Sequence, residues 1–132
     1  MYKITEILKY LNLRPTLQRK AILNILLKNG NFHVTAQSLG KLLKKKKYNI
    51  STATIYNNLN DLSDKGFLKK VVVEKNKMWF DTNLKAHHHF YDEEEDRLID
   101  IDNNSINFSK FPKIPKGKKL ESVDVLIKVK KI

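Results

Sequence analysis

Apolar residues recur every three or four positions through the first half of the chain and every second position in much of the rest. Ile4, Ile7, Leu8 and Leu11 share one side of a helix, which predicts a short amphipathic helix over residues 3–12. Leu13-Arg14-Pro15-Thr16 breaks it, because Pro15 disfavours helical geometry at Arg14 and Thr16 is placed to cap the next helix. That second helix is expected over 17–28, with Ile22, Leu23, Ile25, Leu26 and Leu27 buried and Gly30 at its end. Residues 31–34 read as a connector. Thr35 caps a third helix whose Leu39, Leu42 and Leu43 turn inward.

The most sharply patterned stretch is 50–66. Ser51 is a good N-cap, and Ile50 and Ile55 are spaced to close a hydrophobic staple around it. Ile55, Leu59 and Leu62 form one apolar side, and Gly66 suits a left-handed stop. The opposite side carries Thr52, Ala53, Asn57 and Asn60, with Tyr56 on its flank. Small hydroxyls, a methyl, amides and a phenol can reach base edges in a major groove. Taken alone, such a face is more often simply solvated.

Beyond this helix, residues 67–73 and 77–81 read as paired strands joined by a turn at Glu74-Lys75-Asn76. Three helices and a hairpin make a winged helix-turn-helix, with 50–66 as the helix that enters the groove. Residues 87–91, 98–101 and 122–131 read as three further strands, the last alternating Val123, Val125, Ile127 and Val129 with polar residues. Between them, 103–119 holds Pro112, Pro115 and Gly117 and reads mostly as loop. Three short strands cannot bury both faces alone, so a second copy is expected to cover them. The expected fold is α+β, a winged-helix DNA-binding domain over 1–84 followed by a small β-rich dimerisation and ligand-sensing domain over 85–132.

Charge sharpens this picture. The net charge is +12, and residues 1–86 hold 17 Lys and Arg against 5 Asp and Glu, while 87–132 hold 9 of each. A basic excess confined to one segment attracts polyanions through counterion release. A Lys-rich genome would not by itself leave the final third neutral. The run Lys44 to Lys47 reads as a solvated helix end favoured by the helix dipole. Cysteine is absent, which removes disulfides, thiolate zinc sites and cysteine nucleophiles. No apolar run approaches a membrane span and no signal-peptide pattern opens the chain, so a cytoplasmic protein is expected.

Several segments together carry a resemblance. Leu13-Arg14-Pro15-Thr16-Leu17-Gln18-Arg19, His33-Val34-Thr35-Ala36, Ser51-Thr52-Ala53-Thr54-Ile55-Tyr56-Asn57-Asn58-Leu59, the hairpin ending Phe80-Asp81 and His87-His88-His89 resemble, in order, the ferric uptake regulator family. Phe80-Asp81-Thr82-Asn83, His87-His88-His89-Phe90, Leu98-Ile99-Asp100-Ile101 and Val123-Asp124-Val125 look more particularly like its iron response regulator branch. That branch implies a dimeric, haem-responsive transcription factor controlling iron and haem genes. By the resemblance, Tyr56 packs on thymine methyls beside Asn57, and Arg14 enters the minor groove of A·T-rich DNA, whose narrow tracts concentrate negative potential. Arg19, Thr52, Ala53 and Thr54 complete the expected DNA-contacting set, and the expected partner is an A·T-rich palindromic duplex.

The resemblance also points to ligands. The family's inter-domain metal site matches His33, Asp81, His89 and Asp100, with Tyr91 standing where a further family histidine would be. Independently, His87 and His89 should point to one face of a strand and His88 to the other. Imidazole with carboxylate suits iron, manganese or zinc. Haem binding would rest on His87, His88 and His89, because no Cys-Pro motif is possible. The family's paired CxxC site is replaced by the acidic turn Asp92-Glu93-Glu94-Glu95-Asp96, so a structural zinc is not expected. Of the second family metal site only His88 survives.

Two other readings compete. A metalloenzyme could use the histidine cluster to activate water, but no HExxH, nucleophile elbow or Gly-rich phosphate loop is present. A non-specific nucleic-acid-coating protein would need a stacking platform, whereas the few aromatic residues fall mostly at core positions.

Overall fold

In the computed structural model, which describes residues 4–73 and 77–132, the chain divides into two compact units, Met1–Leu84 and Lys85–Ile132. The first holds four helices and a three-stranded sheet. They are α1 (Ile4–Tyr10), α2 (Leu17–Lys28), β1 (His33–Val34), α3 (Ala36–Lys45), α4 (Thr52–Asp64), β2 (Lys69–Val72) and β3 (Met78–Asp81). Leu8, Ile22, Leu26, Leu39, Leu43, Ile55, Leu59 and Phe80 close the core from five of these elements. Full burial of each such side chain contributes about 2 kcal/mol.

The caps fall where the short polar residues stand. Thr16, Thr35 and Ser51 accept from the backbone amides of Arg19, Ser38 and Thr54, three residues on. At Thr35 the bond is reciprocated by the Ser38 side chain, a capping box built with serine in place of the usual Glu or Gln. Gly30 and Gly66 take left-handed φ values of 59° and 79°, which end α2 and α4. Gly40 serves a different end: a Cβ there would meet Ile55 Cδ1 at 3.3 Å, so the missing side chain lets α3 approach α4.

Three expectations are corrected in this unit. Leu27 is 44% exposed, because it lies at the edge of the stripe formed by Leu23 and Leu26. Leu42 is only half-buried. Residues 31–34 are more than a connector, since His33 and Val34 form β1 and pair antiparallel with Asp81 and Phe80 of β3. The sheet order is therefore β1-β3-β2. The expected turn at Glu74, Lys75 and Asn76 lies outside the described residues.

The second unit is built on β4 (His87–Asp92), β5 (Arg97–Asp102) and β6 (Leu126–Val129), in the order β5-β4-β6. β4 and β5 pair antiparallel, His89 opposite Asp100. β6 runs parallel to β4, and only Leu126–Val129 of the expected 122–131 is strand. The long connection carries one short 3-10 turn, Asn103–Ser105, and is otherwise irregular. A parallel partner needs such a crossover, because a tight hairpin can only return antiparallel. The overall architecture is α+β: a winged helix-turn-helix followed by a small β-rich unit. Among the described residues, no helix is long and apolar enough to cross a membrane.

Candidate nucleic-acid interface and metal ligands

Helix α4 turns Ile55, Leu59 and Leu62 into the core and leaves Thr52, Ala53, Tyr56 and Asn57 exposed. Tyr56 is 36% exposed, and its ring meets Phe80 edge-on at a centroid distance of 6.1 Å. The phenol is thus braced from below and open above, as an apolar reader of a base methyl must be. Thr54 is half-buried and its hydroxyl oxygen accepts from Ser51 Oγ at 2.9 Å, so it faces its own cap. Asn60, placed with the polar side by spacing, is half-buried, and its Oδ1 is buried without a hydrogen-bond partner among the described residues. Arg14 projects from the exposed connector before α2. Arg19, expected in the DNA-contacting set, is half-buried. Its guanidinium is engaged by Asn58 Oδ1 at 3.0 Å, the Arg14 carbonyl at 3.1 Å and Asp61 Oδ2 at 3.2 Å.

The candidate metal ligands fall into two sets, one on each unit. In the first, β1–β3 pairing sets His33 opposite Asp81, and His33 Nε2 stands 3.3 Å from Asp81 Oδ2. Asp81 is fully buried, and its Oδ1 accepts from the Asn83 backbone amide at 2.8 Å. A buried carboxylate needs such partners to remain charged.

In the second set, strand alternation puts His87 and His89 on one face of β4, and their rings meet at a centroid distance of 4.5 Å. Asp100 Oδ1 lies 3.3 Å from His87 Nε2 and 3.4 Å from His89 Nε2. His87 Nδ1 sits 2.6 Å from the Lys85 carbonyl, which can only accept, so the contact is a hydrogen bond in the tautomer that carries its proton on Nδ1. In that tautomer Nε2 holds the ring's lone pair, the donor a metal ion takes, and it faces the Asp100 carboxylate. A backbone carbonyl fixing the far ring nitrogen is the usual arrangement around a ligating imidazole. The resemblance gave His87 a haem role alone. Its place beside His89 was legible in the period of two along the strand.

His88 points to the other face, where Nδ1 accepts from the Val125 backbone amide at 3.0 Å. Its Nε2 is buried without a hydrogen-bond partner among the described residues. All three rings are nearly buried, at 6%, 1% and 4% exposure for His87, His88 and His89. Tyr91 is buried as well, on the face of His87 and His89.

The sequence model of the ferric uptake regulator family matches residues 10–129. The chain belongs to the ferric uptake regulator family. It is similar to the peroxide-responsive repressor PerR of Staphylococcus aureus, 34% identical over 100 residues that make up 76% of this chain and 67% of that one. Its fold is that of the Vibrio cholerae ferric uptake regulator, with a TM-score of 0.75 at 20% identity over 97% of this chain and 99% of the other. The Pseudomonas aeruginosa ferric uptake regulator with manganese follows at a TM-score of 0.70 and 18% identity, over 98% of each chain. Members of the ferric uptake regulator family bind DNA as dimers. This chain is accordingly a DNA-binding transcriptional regulator and not an enzyme.

Proposed function

We propose that this regulator binds an A·T-rich palindromic operator as a homodimer in the cytoplasm, and that a divalent metal ion, iron or manganese, sets its grip. Arg14, Thr52, Ala53, Tyr56 and Asn57 are the DNA-contacting residues in this reading. His33 and Asp81 with His87, His89 and Asp100 are the metal ligands, so His87 joins the four that the family resemblance implies.

The observation that carries the metal reading is the pair of imidazole Nε2 atoms within 3.4 Å of one Asp100 oxygen, one of them on a ring whose Nδ1 is already committed. Two imidazoles and a carboxylate are the donors that mid-row divalent ions take. Among the described residues the first unit offers two such donors, His33 and Asp81, and the second three, His87, His89 and Asp100. Joining the two sets would couple the DNA-reading unit to the β-rich unit, a two-state element biased by a small ligand. The bound ion supplies only charge neutralisation and a fixed point of attachment. Zinc also accepts imidazole and carboxylate, and one protein of similar fold is a zinc-bound manganese uptake regulator. Competition among the three ions assigns the natural one.

Haem would draw on His87, His88 and His89. Their near-complete burial favours an ion over a macrocycle, which needs open space beside an axial nitrogen. A haem titration reads this directly: a Soret shift lost in the combined His87, His88 and His89→Ala variant assigns haem to the triplet.

The deciding experiment selects bound duplexes from a random pool with and without Mn2+ or Fe2+, then measures affinity for the winner. Metal should tighten operator binding by at least about tenfold, within the 1–3 kcal/mol usual for linked sites. Equal affinity with and without each ion overturns the metal-gating reading. Equal affinity for operator and random duplex overturns the DNA-reading assignment.

A further inference from the structure

Arg19 occupies the first turn of α2, and three of its five donors are spent inside the protein. Nε donates to Asn58 Oδ1 at 3.0 Å and Nη2 to Asp61 Oδ2 at 3.2 Å, two residues one turn apart on α4. Nη1 donates to the Arg14 carbonyl at 3.1 Å, which also accepts from the Thr16 amide at 2.9 Å. Asn58 in turn donates through Nδ2 to the Thr54 carbonyl at 2.9 Å. An unbroken hydrogen-bonded path therefore runs from the N-terminal half of α4 to the peptide that carries Arg14.

The path joins two elements with different tasks. One is the exposed face of α4. The other is the short connector whose Arg14 side chain is exposed. A free connector residue loses backbone entropy when it is ordered. Two bonds to one carbonyl impose that order before any ligand arrives, and preorganisation of this kind raises affinity. We propose that Arg19 is the positioning residue that holds Arg14 at a fixed offset from the reading face of α4, so that groove insertion and base reading succeed or fail together. This rests on the proposed assignment of Arg14 and α4 to DNA. The fork geometry is essential, because a lysine ammonium is a point charge and cannot hold three acceptors in a plane.

The test uses the full chain, the selected operator, the same operator with G·C pairs in its A·T tract, and a random duplex. Arg19→Lys and Arg19→Gln should each weaken operator binding about tenfold and bring the A·T and G·C versions to near equality. The Arg14→Ala/Arg19→Gln double variant should discriminate between them no worse than Arg14→Ala alone. Asn58→Leu keeps the arginine and removes its acceptor, and it should reproduce the loss of discrimination should the Arg19 variants not fold. Wild-type binding by Arg19→Lys would overturn the proposal, since charge alone would then suffice. Additive losses would overturn it as well, particularly if the salt slope of Arg19→Gln fell by about 0.9, the signature of a direct phosphate contact. Failure of the underlying DNA assignment looks different: wild-type protein would not distinguish operator from random duplex.

Discussion

A carboxylate with no solvent exposure is costly to keep charged unless its neighbours compensate, and Asp81 has the Asn83 amide on one oxygen and His33 beside the other. This makes Asp81 informative to substitute. Asp81→Asn keeps the shape and the turn at Asn83 while removing the negative charge. It should lower Mn2+ affinity by at least about tenfold, comparable to losses around known metal sites, with the fold retained. Calorimetric titration checks the first point and far-ultraviolet circular dichroism the second. His89→Ala should act the same way, whereas His88→Ala should leave ion affinity within about twofold and instead loosen the contact to Val125. Trp79 is the sole tryptophan and is buried, so its emission reports on either variant without a label.

At the scale of elements, the caps and stops have separable effects. Ser51→Ala should cost about 1 kcal/mol, and Thr35→Ala about 1 kcal/mol plus part of its reciprocal bond to Ser38. Gly66→Ala forces a methyl-bearing residue to a φ of 79° and should destabilise by about 1 kcal/mol. Urea unfolding midpoints measure all three. These helices were legible in the sequence because period, cap and stop agree: Ser51, Ile55, Leu59, Leu62 and Gly66 all point to one answer. β1 was not legible, since two residues carry no period and His33 and Val34 are strand only because β3 arrives beside them. β6 was half legible. Val123 and Val125 keep the alternation, but pairing begins at Leu126, and nothing local to the chain announces a parallel neighbour. Arg19 entered the expected DNA-contacting set with the motif that carries the resemblance; that Asn58 and Asp61 are its acceptors is visible only once α2 and α4 come together.

For the whole molecule, the exposed face of the second sheet carries the dimer prediction. Ile99 and Ile127 flank Phe90 in one row across β5, β4 and β6, and both isoleucines are exposed. Sedimentation equilibrium should show a two-copy mass, and the thermal midpoint should rise with protein concentration, as mass action requires. Ile99→Lys combined with Ile127→Lys should yield single copies and weaken operator binding at least about tenfold. A two-copy mass retained by that variant would move the contact elsewhere. Charge has its own scale here: the neutral sum of residues 87–132 hides five acids at 92–96 and five lysines between 110 and 119.

The parallel docking of β6 has a kinetic corollary. Its ladder rests on one neighbour, and the strand is reached only after a long irregular loop has closed. Loop closure disfavours that contact by an amount growing with the logarithm of loop length. The β6 backbone protons should therefore trade with deuterium well before those shared by β4 and β5. Because Val125 donates to His88, between two proposed ligands, each departure of that tail would also release the middle histidine. An ion seated on the flanking rings would then be felt, through one imidazole, as slower breathing at the far end of the chain.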